Sequence, residues 1–182
     1  MRTLVIYKSS YGATEKYAKW IAEAVGADLV QVKDAKAEKL TGYDAVVYGG
    51  GLYAGGINGI KWLVTNFSLV KDKKVAIFTV GLADPEIEEN LNHIREGIDH
   101  SLPENVRKGA EFFSFRGGMD FGRLGFMHKS MMKMMGKMLN KKNPEELTAQ
   151  DRDLLDSFEK PVDFTDKKYI EPLLSYLADD GK

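Results

Sequence analysis

Apolar positions along this chain follow two alternating rhythms. Residues 3–7 (TLVIY) form a short, unbroken, β-branched run, the pattern of a strand buried on both faces of a parallel sheet. After a polar turn, Tyr17, Ala18, Ile21, Ala22 and Val25 recur at helical spacing, with Glu15, Lys16, Lys19 and Glu23 largely on the other side. Gly26 ends that helix. Residues 28–32 predict a weaker strand, and residues 44–48 (DAVVY) a strong one that runs into Gly49, Gly50 and Gly51. Ile60, Trp62, Leu63 and Phe67 mark the next helix, and residues 74–80 (KVAIFTV) a fourth strand. Asp84-Pro85-Glu86 reads as a helix start, with a capping acid and proline in the first turn. Residues 111–115 supply a fifth strand, and Ile170, Leu173, Leu174 and Leu177 a last helix with Pro172 near its start. Five strands separated by helices predict a doubly wound α/β sheet.

In such sheets ligands bind beyond the carboxyl ends of the strands, where the topology reverses. Three loops qualify. The first, residues 8–14, supplies hydroxyls from Ser9, Ser10 and Thr14, lets the backbone approach at Gly12, and opens a helix whose first N–H groups carry partial positive charge. Those are the parts of a phosphate cradle, although a serine-rich helix cap has the same composition. Neither G-x-G-x-x-G nor G-x-x-x-x-G-K-[ST] occurs, so nicotinamide and nucleoside-triphosphate readings lose their main support. The second loop packs six glycines between Gly49 and Gly59, more than a turn needs, with Tyr53 among them as a stacking or packing aromatic. Gly81, Leu82, Ala83 and Asp84 form the third, in which Asp84 also suits a helix cap.

Composition narrows the classes. With 182 residues, 43% hydrophobic and 29% charged, the chain is about one globular domain long. A net charge of −1 argues against a whole-surface nucleic-acid binder, and the absence of cysteine removes disulfide and thiolate chemistry. The N-terminal apolar run is too short for a signal peptide and no stretch approaches a spanning helix, so a cytoplasmic location is expected. His93, His100 and His128 show no metal-ligand spacing and read as surface or packing residues.

Ser9, Ser10, Tyr11, Gly12, Ala13 and Thr14 resemble the phosphate loop of the flavodoxin-like proteins that bind flavin mononucleotide (FMN), written [ST]-x-T-G-x-T, with Tyr11 in place of the middle threonine. The resemblance implies a five-stranded parallel sheet of order 2-1-3-4-5 with helices on both faces. It also implies that residues 9–14 hold the phosphate through mostly neutral donors. Gly50, Gly51, Leu52, Tyr53, Ala54 and Gly55, with Gly81, Leu82, Ala83 and Asp84, would enclose the isoalloxazine ring. Tyr53 offers an aromatic on one side and the third loop offers none, which leaves one flavin face open to a substrate.

The segments SSYGATEKYA, DAVVYGGGLYAGGI, FTVGLA, GGMDFGRLGFMHKSMMKMMGKM and VDFTD are similar to the menaquinone-dependent protoporphyrinogen dehydrogenase group. That group often carries a basic residue where Tyr53 stands. The likeness implies one domain over residues 1–182 with an insertion at about 117–161, after or within the fifth strand. It points to an FMN-dependent oxidoreductase working with a quinone or redox partner on a hydrophobic or porphyrin-like substrate; a flavodoxin-type electron carrier is the alternative. Arg116, Arg123, Lys129 and Lys133 are the candidates for attracting substrate carboxylates.

Within the insertion, Met127, Met131, Met134, Met135 and Met138 predict one apolar helical side, while Lys129, Lys133, Lys137 and Lys141 recur every fourth residue. Such a segment could cover its own sheet, cover a substrate, or make peripheral membrane contact through residues 126–142. Thr148 and Asp151 have the spacing of a capping box opening a further helix.

Overall fold

The computed structural model describes residues 1–53 and 56–179, the side chains of residues 149 and 150 apart. Its main elements, in chain order, are β1 (Thr3–Lys8), α1 (Ala13–Val25), β2 (Asp28–Gln31), β3 (Ala45–Tyr53), β4 (Gly56–Ile57), α2 (Lys61–Asn66), β5 (Lys74–Gly81), α3 (Glu88–Ser101), α4 (Glu104–Gly109) and β6 (Glu111–Arg116). They continue with β7 (Gly118–Met119), α5 (Phe126–Leu139), α6 (Ala149–Glu159), β8 (Val162–Asp163) and α7 (Glu171–Ala178). The five principal strands pair in parallel in the order β2-β1-β3-β5-β6, which is the expected order with the intervening short strand counted. The topology reverses beside β1, so the ends of β1 and β3 define the crevice where ligands bind.

Strand pleating sorts the core into two layers. Leu4, Ile6, Val46, Tyr48 and Ile77 face one way, against Leu63 of α2, Ile94 and Ile98 of α3 and Val106 of α4. Val5, Tyr7, Val47 and Phe78 face the other, against Tyr17, Ala18 and Ile21 of α1 and Leu173 and Leu177 of α7. The sheet is thus covered on both faces, which accounts for the unbroken apolar runs of its central strands.

Several elements differ from the sequence reading. β3 does not stop at Tyr48 but runs through the glycines to Tyr53, and β4 folds back on it as an antiparallel rung. The glycine run is needed for proximity: Gly49 sits opposite Phe78 on β5, and a Cβ there would stand 2.1 Å from the Phe78 ring. Residues 84–86 form a turn in which Asp84 accepts the Glu86 N–H at 3.0 Å, and α3 starts later, at Glu88. An aspartate bonded two residues ahead makes an Asx turn, which competes with the helix cap that the sequence predicts there. β2 ends at Gln31, Phe67 lies in a 3-10 turn beyond α2, and α4 has no counterpart in the expected elements. Pro172 sits in the first turn of α7, where its missing N–H costs no intrahelical bond.

The chain leaves for the insertion after β6, not within it. β7 and β8 pair antiparallel at the neck, holding the outgoing and returning segments together. α5 spans residues 126–139, and the predicted capping box at the start of α6 is formed, Thr148 accepting from the Asp151 N–H at 3.1 Å while Asp151 accepts from the Thr148 N–H at 3.1 Å.

Gly49→Ala should force the Phe78 ring off its seat against Phe115, costing about 1–3 kcal/mol. Equilibrium urea unfolding would read this as a lower midpoint; an unchanged midpoint would mean that the aromatic pair yields without cost.

Candidate functional site

A cleft open to solvent lies over the carboxyl ends of β1, β3 and β5. Ser9, Tyr11, Ala13 and Thr14 line it from the first loop, Gly51, Leu52 and Tyr53 from the end of β3, and Val80, Gly81 and Leu82 from the end of β5. The insertion supplies the remaining side through Gly117, Gly118, Met119, Leu124, His128, Met131 and Met132.

The first loop offers neutral donors and no free cation from its helix turn. Gly12 caps α1 with φ +101°, a left-handed conformation that suits glycine, and it brings no side-chain oxygen to the helix. Its N–H donates to Ser9 Oγ at 3.0 Å, and its C=O accepts the Lys16 N–H at 3.0 Å, beginning the α1 ladder. The first-turn N–H groups therefore lack intrahelical acceptors and point out of the helix end. Lys16 does not stand in for a phosphate ligand, because its ammonium bonds Thr165 Oγ1 at 2.6 Å and Asp163 Oδ2 at 3.1 Å. Burial would raise the Asp163 carboxyl, but hydrogen bonds from Thr165 and the Lys16 charge outweigh it and hold the group below the usual carboxylate range. This donor set, neutral hydroxyls on an uncapped helix start, fits a dianionic phosphate. The small residues Gly51, Gly81 and Gly117 together with Tyr11 and Tyr53 give the adjoining walls flat, close-fitting surfaces suited to a fused ring.

Three aromatic rings join the first loop, the second loop and the insertion. His128 lies flat on Tyr53, centroids 4.6 Å apart and planes 15° from parallel. Tyr11 meets Tyr53 edge-on at 6.2 Å, and its hydroxyl lies 2.7 Å from His128 Nδ1. The same oxygen accepts the Gly125 N–H at 3.2 Å, so its single proton is free to go to the imidazole. Tyr11, where the phosphate-loop pattern has threonine, thus turns its hydroxyl to the insertion. Burial pushes the Tyr53 hydroxyl up, partly opposed by a hydrogen bond with Ser10, and keeps it protonated at neutral pH. Beneath the cleft, Asn58 ties the loops together: its amide donates to Ser10 Oγ at 3.0 Å, its N–H to Gly51 C=O at 2.9 Å, and its C=O accepts the Tyr48 hydroxyl at 2.8 Å.

Arg116, at the end of β6, holds the neighbouring parts. Its guanidinium pairs with Asp84 at 3.3 Å and with Asp153 of α6, donates to the Leu82 C=O at 3.4 Å, and lies 3.8 Å over the Phe164 ring. The Arg116 C=O accepts the Tyr17 hydroxyl at 2.6 Å, and Tyr17 in turn accepts the Asp166 N–H.

Of the sequence-predicted residues, Ser9, Tyr11, Ala13, Thr14, Gly51, Leu52, Tyr53, Gly81 and Leu82 meet in the cleft. Ser10 stands behind it on Asn58, and Gly12 lines an adjoining hollow with Lys16 and Arg123. A Cβ on Gly50 would lie 2.5 Å from Ile57, which places that glycine in packing. Ala83 and Asp84 stand outside the lining, Asp84 because Arg116 holds it; Ala54 and Gly55 lie outside the described residues. Arg116 is likewise committed internally and is not available to a substrate carboxylate. Arg123 faces the adjoining hollow, Lys129 sits over Phe121 at 5.2 Å, and Lys133 is exposed. His93 and His100 are exposed on α3, whereas His128 packs at the cleft itself. No separate signal in the sequence marks His128, Asn58 or Met132 as site residues. The tyrosine in the phosphate loop was the one available hint that something unusual contacts that loop.

A family model described as Flavodoxin domain matches residues 4–146. No curated protein sequence matches the chain. Among solved structures, a WrbA-like flavodoxin from Agrobacterium tumefaciens is similar at 23% identity and TM-score 0.41, over 62% of this chain and 82% of that one. Oxidised Flavodoxin 2 from Bacillus cereus is similar at 18% and 0.44, over 86% and 94%. The Trp repressor binding protein from Bacillus subtilis is similar at 14% and 0.44, over 64% and 85%.

Arg116→Ala should cost about 3 kcal/mol, because it strands two partly buried carboxylates. Arg116→Lys should recover only part of this, since one ammonium cannot serve both acids in the guanidinium's fixed geometry. Urea midpoints of the two variants check the ordering.

Proposed function

Because the chain belongs to the flavodoxin family, matched over residues 4–146, with FMN as its cofactor, we propose that it is an FMN-dependent oxidoreductase that works on a small hydrophobic substrate, quinone-linked or protoporphyrinogen dehydrogenase-like. One observation supports this reading: Met131 and Met132 of the insertion line the cleft together with Leu82 of the third loop, which brings no aromatic. A pocket with an apolar, polarizable wall favours a small apolar guest. An electron carrier works by bringing an open cofactor edge to a partner protein, whereas here the insertion walls one side of the cleft.

FMN supplies the redox chemistry when bound; the protein binds, orients and encloses. In this reading Ser9, Thr14 and the first-turn N–H groups of α1 hold the phosphate. Tyr53, Gly51 and Leu82 bound the ring's space, and the neutral Tyr53 hydroxyl adds a hydrogen-bonding group without charge. Met131 and Met132 exclude water from the apolar wall of the cleft, and His128 packs on Tyr53.

Purified, FMN-loaded protein should oxidise protoporphyrinogen or a related tetrapyrrole with a quinone as acceptor. Absence of turnover with every such pair, together with fast exchange with a redox protein, would select the carrier instead. Independently, Ser9→Ala removes a neutral donor and frees the Gly12 N–H. It should weaken FMN binding roughly tenfold, read by quenching of flavin fluorescence on titration; an unchanged dissociation constant would place the phosphate elsewhere.

A further inference from the structure

Large apolar side chains left in water are scattered singly over most of the molecule, as at Leu29, Leu69 and Ile87. On α5 they are concentrated. Phe126 is 91% exposed, Met127 79%, Met134 61% and Met138 64%, while Met131 and Met132 of the same helix line the cleft. The helix therefore has more than one apolar side, and the outward one has nothing packed on it among the described residues. Met127, Met134 and Met138 recur at seven and four residues, on one helical face, with Lys133 and Lys137 on the adjoining strip.

Charge identifies what would cover this face. From residue 121 to residue 144 the chain carries six Lys or Arg and no Asp or Glu, a local +6 in a chain of net −1, leaving −7 elsewhere. Lys133, Lys137 and Lys141 have no ion-pair partner among the described residues, whereas Lys142 is held by Asp151 at 3.3 Å. A second copy of the same face would set these cations against each other. A mobile anionic surface with an apolar interior would satisfy both the lysine heads and the flexible thioethers.

We infer that the outward face of α5 docks this protein on an anionic lipid surface, with Phe126, Met127, Met134 and Met138 entering the headgroup layer and Lys133, Lys137 and Lys141 facing lipid phosphates. The docked orientation has a use. Met135 and Met138 also line an apolar groove between α5 and α6, and that groove shares Met132 and Leu82 with the cleft. A hydrophobic molecule dissolved in the lipid would then face a continuous apolar path toward the site. The docking itself does not depend on the proposed reaction, and its test reads no flavin signal.

The full chain, loaded with FMN, is sedimented with vesicles of phosphatidylcholine alone and of phosphatidylcholine mixed with phosphatidylglycerol. It should pellet with the anionic vesicles only, and high salt should release it. Reversing three charges with Lys133→Glu, Lys137→Glu and Lys141→Glu should weaken binding by roughly a hundredfold or more. Met127→Ser with Met134→Ser and Met138→Ser should weaken it while leaving the salt dependence in place. Equal pelleting with neutral vesicles, no pelleting with anionic ones, or binding that survives charge reversal would each overturn the inference. So would lipid-free self-association that the same variants abolish, which would give the face to a second copy, or a preference for an acidic protein over the vesicles. The comparison of vesicle types and salt uses the unaltered protein, so a variant that fails to fold leaves the inference open to refutation.

Discussion

One buried cation fixes how the parts of this molecule meet. The Arg116 guanidinium stands where the fifth parallel strand ends, largely withdrawn from water, and a charge in that position has to be matched. It is matched by an aspartate from the loop after β5 and another from α6, so the edge of the sheet, the third loop and the insertion share one anchor. Through the Leu82 carbonyl the same group reaches a residue of the cleft. Its own carbonyl, bonded to Tyr17, ties the strand end to α1, the helix whose first turn forms the anion cradle. The relative placement of the cleft's walls thus rests on an ionic contact that lies outside the cleft.

The site follows from that arrangement. The first loop offers neutral hydroxyls and an uncapped helix start, and Lys16 of the first turn is kept occupied by Asp163 and Thr165. The aromatic trio joins the first and second loops to α5, and Tyr11 belongs at once to the first loop and, through its hydroxyl, to the insertion.

How far the sequence could foretell this differs by element. Central strands were legible because burial on both faces forces continuous apolar runs, and the α5 limits and the α6 capping box were legible from periodicity and spacing. The extent of β3 was not, because the glycines that continue it answer to tertiary neighbours, Gly49 to the Phe78 ring on β5 and Gly50 to Ile57 of β4. The faces of α5 were merged for a similar reason. A methionine-rich helix reads as apolar all along one side, and only packing against α6 and the cleft separates Met131 and Met132 from the exposed Met127, Met134 and Met138. Asp84 was read as a cap because its local context is that of one, while the arginine that competes for it lies thirty-two residues away in sequence. His128 had least to announce it, since its partner Tyr11 stands 117 positions earlier.

The two-rung pairing of β7 with β8 has a wider consequence. A loop whose entry and exit are already stapled has met most of its closure entropy at the neck, and lengthening or shortening what lies between adds only slowly to that cost. The number of residues between the two strands can accordingly change at little cost to the sheet underneath, provided that Asp153 still reaches Arg116.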